Sequence, residues 1–373
     1  MTKYLRGLAV AGVVALVVTA CGSRPTESEQ PAEGGAADGA KDFRACMVSD
    51  SGGFDDKSFN QTSYKGLQDA VAEWGISEST AESNSDADYP ENINGMVDAN
   101  CDVIVTVGFK LGNQTAIAAS ENPDVKFGIV DFDINAVDLK EVKLDEVPSN
   151  VKSLLFDTSQ SSFLAGYLAA GMSTTGKVGT FGGLQIPTVT IFMDGFWEGV
   201  QHYNKQKGTN VQVLGWNAES QKGLFTNDFE GKAQGKNTAN NLISQGADVI
   251  FPVAGPAGLG GLEAAKASGG KVKAIWVDTD GCVSAPEYCD VLLTSVYKGM
   301  DVAVKDLIGS VYNDEFDNTP YVGTLENDGT GLAPYHEFED EIPDDLKAEI
   351  EELKQQIIDG EITIQSKAVP QAQ

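Results

Sequence analysis

Histidine is almost absent from this chain: His202 and His336 are the two among 373 residues. That scarcity speaks against a serine or cysteine triad, which needs an imidazole beside its nucleophile. Cationic side chains are also few. Lys and Arg number 26 against 55 Asp and Glu, which gives a formal charge of −29 and a pI near 4.2. So acidic a chain has no basic surface with which to hold nucleic acid or anionic lipid. Cysteine occurs five times without a C-x-x-C pair, and no histidine lies near enough in sequence to complete a zinc site.

What is present begins with an export signal. Lys3 and Arg6 precede an apolar run, Leu8 to Val18, that is too short to span a bilayer comfortably and has the form of a signal-peptide h-region. It ends in "VTACGS", where small residues before Cys21 have the form of a lipobox, so the Cys21 sulfur is expected to carry a lipid. An ordinary signal peptide cut near Cys21 is the alternative. Residues 22–41, "GSRPTESEQPAEGGAADGAK", contain no aromatic and cannot bury a core. The expected organisation is a signal peptide over 1–20 and a lipidated flexible tether over 21–41, which places the protein on the extracytoplasmic face of the cell membrane. In that oxidising compartment the four remaining cysteines are expected to pair. Cys282 and Cys289 close the short loop "CVSAPEYC", and Cys46 and Cys101 both precede apolar strand-like runs.

From Phe43 onward short apolar runs alternate with amphipathic segments. "RACMVS", "CDVIVTVG", "VKFGIVDF" and "VKSLLFD" read as strands in the first half. "KVGTFGG", "NVQVLGWN", "ADVIFPVAG", "KVKAIWVDTDG" and "DVLLTSVY" do so in the second. Helical segments such as "SYKGLQDAVAEWG", "SSFLAGYLAAGMS" and "FMDGFWEGVQHYNKQ" lie between them. Such alternation predicts an α/β fold with parallel sheets, and about ten strands suit two lobes better than one open sheet. A TIM barrel would require eight even units. Lobe 1 is expected from residues 42–156 and 282–325, and lobe 2 from 157–281 and 326–373.

Ligands of open α/β sheets bind beyond the carboxyl ends of strands. There the chain places Asp50, Gly108 and Phe109, Asp131, Asp157, Gly255 and Asp278. Any one aspartate could be a helix cap or a turn residue. Their recurrence in both halves predicts a cleft lined by carboxylates, suited to a hydroxyl-rich ligand. In "SDSGGFDDKSFNQ", residues 49–61, Phe59 falls in the first turn of a helix among polar groups. It is either a staple against the core or a flat face for a planar ring. Asp55 and Asp56 are read as partners of that helix's dipole.

The stretch "SDSGGFDDKSFNQTSYKGL" resembles the signature of the basic membrane protein family, the purine nucleoside receptor lipoproteins of ABC transporters. The likeness continues through "FGIVD", "GGLQIPTVTIFMDGFWEGV", "DVIFPVAGPAGLG", "AIWVDTDG" and "LTSVYKGMDVAV", in order, over nearly all of residues 43–365. The resemblance implies a periplasmic-binding-protein type I fold, two doubly wound parallel-sheet lobes joined by a hinge. It implies a nucleoside held between the lobes and delivered to an ABC permease and its ATPase. It also implies a monomer, no cofactor, no metal and no chemistry. Carried over to this chain, it puts Asp50 near the base with Asn60 beside it, Phe59 stacked on the base, and Asp131 and Asp278 on the ribose. Gly255 allows close backbone approach, and Lys298 reaches a ligand acceptor atom. The second ring comes from "IFMDGF", where Phe192 and Phe196 are both candidates; Phe192 is preferred, one turn nearer the cleft-facing end of its helix. The chain departs from the family in lacking a basic residue before that phenylalanine and in having Cys282 and Cys289.

Other readings are weaker. "GKAQGKNT", residues 231–238, has three residues between Gly and Gly-Lys where a phosphate loop needs four, and Asn237 follows the lysine. It and "GPAGLGG" are read as solvated loops before helices. A calcium-dependent nucleoside hydrolase could use clustered aspartates, but His202 reads as surface-facing and His336 as part of a late loop. A ligand-sensing lipoprotein of the same fold shares every site residue, and type I binding proteins for sugars also use paired rings and carboxylates.

Overall fold

Strands covered by helices on both faces carry near-continuous apolar runs. In the computed structural model, which describes residues 42–370, the apolar runs become such strands. Strands β1 (Arg44–Ser49), β2 (Ser77–Glu82), β3 (Val103–Val107), β4 (Lys126–Val130) and β5 (Val151–Phe156) alternate with helices. The chain then builds β6 (Lys177–Gly182), β7 (Gln212–Leu214) and a small hairpin of β8 (Trp216–Asn217) and β9 (Lys222–Gly223). It continues through β10 (Val249–Val253), β11 (Lys273–Asp278), β12 (Leu292–Lys298), β13 (Tyr321–Gly323) and β14 (Thr330–Leu332).

Two six-stranded sheets result. The first has the order β13-β5-β4-β3-β1-β2 and is parallel throughout; the second has the order β14-β12-β11-β10-β6-β7, with only β14 antiparallel. This is the expected two-lobed α/β architecture, and two open sheets leave no room for a barrel.

Each sheet has a core on both faces. In the first lobe Ala45, Met47, Val105 and Leu67 pack with Met300, Val304, Leu307 and Ile308 of the helix Met300–Tyr312. On the other face Ile104, Phe127 and Ile129 meet Tyr89, Ile93 and Ala116. In the second lobe the helices Thr158–Met172 and Pro187–Lys207 pack so closely that a Cβ on Gly199 would lie 1.9 Å from the Phe163 carbonyl oxygen. Only glycine permits that approach.

The chain passes between sheets three times: after β5, after β12, and between β13 and β14. The passages are bonded to one another. The Asp157 amide donates to Gly323 O at 2.8 Å, and the Gly299 amide to Gly329 O at 2.9 Å. The Ser161 and Thr330 hydroxyls meet at 2.5 Å.

The expected lobe boundary at 281/282 is displaced. β12 pairs in parallel with β11, so residues 282–298 stay with the second sheet, and the chain crosses to the first at Gly299. The disulfide-closed segment is the short crossover between two strands of one sheet, not a linker between lobes. Both expected disulfides are present. Cys46–Cys101 has Cα atoms 6.0 Å apart, and Cys282–Cys289 4.7 Å. Among the described residues no helix is long and apolar enough to cross a membrane. The signal peptide, Cys21 and the tether lie outside the described residues.

Candidate functional site

The carboxyl ends of the central strands face a cavity between the lobes, partly open to solvent. Asp50 follows β1, and its Oδ1 accepts from the Asn60 side-chain amide at 2.9 Å. Gly108, after β3, has φ +123°, and a Cβ there would stand 2.3 Å from Asp50 Oδ2; the carboxyl lies directly over that glycine. Burial pushes the Asp50 carboxyl up to about 8, against the opposing pull of the Asn60 hydrogen bond. Near neutral pH it is therefore largely protonated and able to donate. The Asn60 carbonyl oxygen is buried and meets no donor among the described residues.

Asp56 closes the start of the helix Phe59–Trp74. Its two oxygens accept from the backbone amides of Ser58, Asn60 and Gln61 at 3.0, 2.9 and 3.0 Å. Burial raises its carboxyl to about 6, opposed by those amides. The dipole role expected of Asp56 is thus met by direct capping, and the residue also lines the cavity, which its sequence position did not reveal.

Asp131 and Asp278 stand at the carboxyl ends of β4 and β11, with φ of +64° and +69°. Between them lies Lys298, the last residue of β12, only 3 % exposed. Its Nζ is 2.5 Å from Asp131 Oδ2 and 3.8 Å from Asp278 Oδ1. Burial raises both carboxyls, and Lys298 opposes the shift in each. Two rings from different lobes approach the same ammonium: Phe59 at 5.1 Å and Phe192 at 5.2 Å from centroid to Nζ.

Phe59 packs on the first lobe's core and also lines the cavity. Phe192 lines the cavity from the second turn of its helix. Phe196 does not: one turn further on, it is fully buried with its ring 5.1 Å from Phe251, and it leaves the list of ligand candidates. Gly255 opens the helix Gly255–Ala267 at φ +50°, and a Cβ there would meet nothing nearer than 3.9 Å. The cavity therefore holds Asp50, Phe59, Asn60, Asp131, Phe192, Gly255, Asp278 and Lys298 together. Sequence reasoning missed the apolar wall of Ile186, Val189, Phe229, Val253 and Val277, since such residues read simply as core.

Three other readings change. Asp157 sits at the lobe crossing and accepts from Gln160 at 3.1 Å, away from the cavity. His202 is half-buried against Phe163, with ring centroids 5.2 Å apart, and burial lowers its pKa. "GKAQGKNT" and "GPAGLGG" are helical from Lys232 and from Gly255, not loops. His336 bonds Asp280 at 2.7 Å, and neither histidine reaches the cavity. The arrangement can hold a flat, hydroxyl-bearing molecule by ring faces and buried carboxyls.

Comparison with known proteins agrees with this geometry. The profile of the Bmp family, described as ABC transporter substrate-binding protein PnrA-like, matches residues 43–368. The CD4+ T-cell-stimulating antigen of Listeria innocua is 33% identical over 386 aligned positions, covering 98% of this chain and all of that protein. The ABC transporter nucleoside-binding protein BmpA of Lactococcus lactis is 31% identical, over 87% of this chain and 90% of its own length. Among solved structures, an ABC transporter solute-binding protein from Aeropyrum pernix superposes with a TM-score of 0.75 at 27% identity, covering 88% of this chain and 94% of that one.

Proposed function

The chain belongs to the Bmp family of PnrA-like ABC transporter substrate-binding proteins, which bind solutes and are not enzymes, and on that premise we propose that it captures a purine nucleoside for delivery to its permease. One observation carries the reading: Phe59 and Phe192, from opposite lobes, converge with Asp50, Asp131 and Asp278 on a single cavity. In this reading the two rings flank the base, a geometry that aromatic stacking favours. Asp50, with its protonated carboxyl, and Asn60, with its free carbonyl oxygen, face the base edge. Asp131 and Asp278 accept from ribose hydroxyls, Lys298 donates to a ligand acceptor, and Gly255 leaves room for the ligand against backbone.

The same proposal includes the anchor. The h-region, the small residues before Cys21 and the core-less stretch to residue 41 support a lipid on Cys21 that holds a monomer at the outer face of the membrane. Replacing Cys21 with Ala should release the protein from the membrane fraction; a variant that still sediments with membranes refutes the anchor.

The ligand is tested by denaturing the purified protein, identifying what it releases by mass spectrometry, and titrating adenosine, guanosine, inosine and ribose calorimetrically. Purine nucleosides should bind and ribose alone should not. Ribose binding as tightly as the nucleosides would return the site to a sugar.

A further inference from the structure

Lys57 and Ser58, neither of which lines the cavity, join the first lobe to β11 of the second by hydrogen bonds. The Ser58 hydroxyl, fully buried, donates to Asp278 Oδ2 at 2.7 Å. One residue earlier, the Lys57 carbonyl oxygen accepts from the Trp276 indole N–H at 3.1 Å. Residues 57 and 58 belong to the turn before the helix Phe59–Trp74 of the first lobe, whereas Trp276 and Asp278 belong to β11 of the second. Neither Ser58 nor Trp276 lines the cavity.

The two sides are built rigidly. The Ser58 amide is held by Asp56 Oδ1 at 3.0 Å, and the Ser58 carbonyl accepts from the Thr62 amide and hydroxyl at 3.1 and 2.7 Å. Lys57 and Asp278 both occupy the left-handed region, at φ +63° and +69°. For non-glycine residues that conformation persists only where the surroundings enforce it. The bond also divides the work of the Asp278 carboxyl. Oδ2 is taken by Ser58, while Oδ1, 3.8 Å from Lys298 Nζ, is beyond hydrogen-bond range of that ammonium and remains open to another donor.

We propose that Ser58 is a positioning residue for ligand capture: its hydroxyl orients Asp278 toward the ligand and, with the Lys57–Trp276 bond, latches the two lobes in their closed arrangement. The inference rests on the nucleoside reading above. Both bonds exist only while the lobes meet, so they weight the closed form and slow ligand escape without touching the ligand. Deleting the latch should act mainly on dissociation, because encounter takes place with the lobes apart.

The test uses Ser58→Ala and Trp276→Phe; the second removes only the indole donor and keeps a large ring in the core. Stopped-flow kinetics with adenosine should give dissociation roughly tenfold faster in Ser58→Ala, the size expected for loss of one hydrogen bond to a charged group. Trp276→Phe should shift in the same direction by less. Association rates should change little in either variant. Small-angle X-ray scattering of the ligand-free variants should shift toward the open form. Wild-type dissociation rates and scattering in both variants overturn the latch, as does slower association with unchanged dissociation. If wild-type protein binds no nucleoside, that reading falls instead. The latch then stands or falls on the scattering of the ligand-free variants.

Discussion

The two lobes share a strand order and differ in what they present. Read from either edge, β13-β5-β4-β3-β1-β2 corresponds to β14-β12-β11-β10-β6-β7, so β4 matches β11 and β5 matches β12. The first lobe brings Asp50, Asp56 and Asp131 to the cavity, while the second brings Ile186, Val189, Phe192, Phe229 and Val253. Matching strand ends show where the lobes agree and where they part. Asp131 and Asp278 both stand at the ends of corresponding strands, each in the left-handed region. At the next pair the first lobe has Phe156 and the second has Lys298, the one cation lining the cavity among the described residues. A repeated frame fixes positions, and the residues at those positions make the first lobe's wall richer in carboxyls and the second's richer in apolar side chains, with Asp278 and Lys298 at its strand ends.

The hardest test of that division is Lys298→Met. It leaves Asp131 and Asp278 buried without their cation, and breaking a buried pair in this way costs about 3–5 kcal/mol. The sign of the pH effect follows from the raised carboxyls. A buried acid whose folded pKa exceeds its unfolded value stabilises the fold when protonated and loses that stabilisation as pH rises. The loss in Lys298→Met should therefore be largest at alkaline pH and shrink toward pH 4, which denaturant unfolding across pH measures. A loss independent of pH would mean that the lysine supports the fold by packing alone.

Phe196→Ala and Phe59→Ala sharpen the comparison within the aromatic set. Phe196, buried against Phe251, should cost about 3–5 kcal/mol of fold stability. Phe59→Ala should cost less stability, because the ring is only half-buried, and about 1–3 kcal/mol of nucleoside binding, as for base stacking on other rings. Melting curves paired with calorimetric titration separate them; equal stability losses would return Phe59 to the core.

Each lobe has one disulfide, and loop length ranks them. Replacing both Cys46 and Cys101 opens a closure spanning 55 residues and should cost about 4 kcal/mol, whereas the 7-residue span of Cys282 and Cys289 should cost about 2.5 kcal/mol. The reverse order in chemical denaturation would mean that the second bridge acts by shaping the loop after Asp278.

The last expected effect is read as a slope across pH and not as a single loss. Asp50 has its carboxyl raised by burial from 3.8 to about 8. It therefore stabilises the fold fully below about pH 4 and loses that contribution as pH climbs through about 8, at up to about 1.4 kcal/mol per pH unit. Asp50→Asn should gain on the wild type across that window and level off above it. A pH-independent difference between the two proteins would place a charged Asp50 in the cavity.

Most of the frame was legible in the sequence because each buried strand is a short apolar run ending in Gly or Asp, and such an ending has few uses beyond turning the chain or meeting a ligand. Asp131 and Asp278 were found in that way. Phe192 and Phe196 could not be separated by helical spacing, since which turn faces a cavity depends on how the helix is tilted over its sheet. β12 was assigned to the wrong lobe because a disulfide-closed crossover of a few residues looks like a linker. Asp56 and Ser58 were passed over for a different reason: capping a helix and touching the opposite lobe use the same small polar residues, and only tertiary contact distinguishes them.

The passage after β12 also governs when the first lobe can become stable. Its five leading strands are complete by Phe156, yet Met300, Val304, Leu307 and Ile308 of its core arrive with a helix that starts at residue 300. A nascent chain stopped anywhere between those points exposes the apolar face of the sheet that this helix covers. Non-local closure of this kind slows folding. For a chain headed across a membrane, that delay keeps it threadable until nearly its whole length has been made.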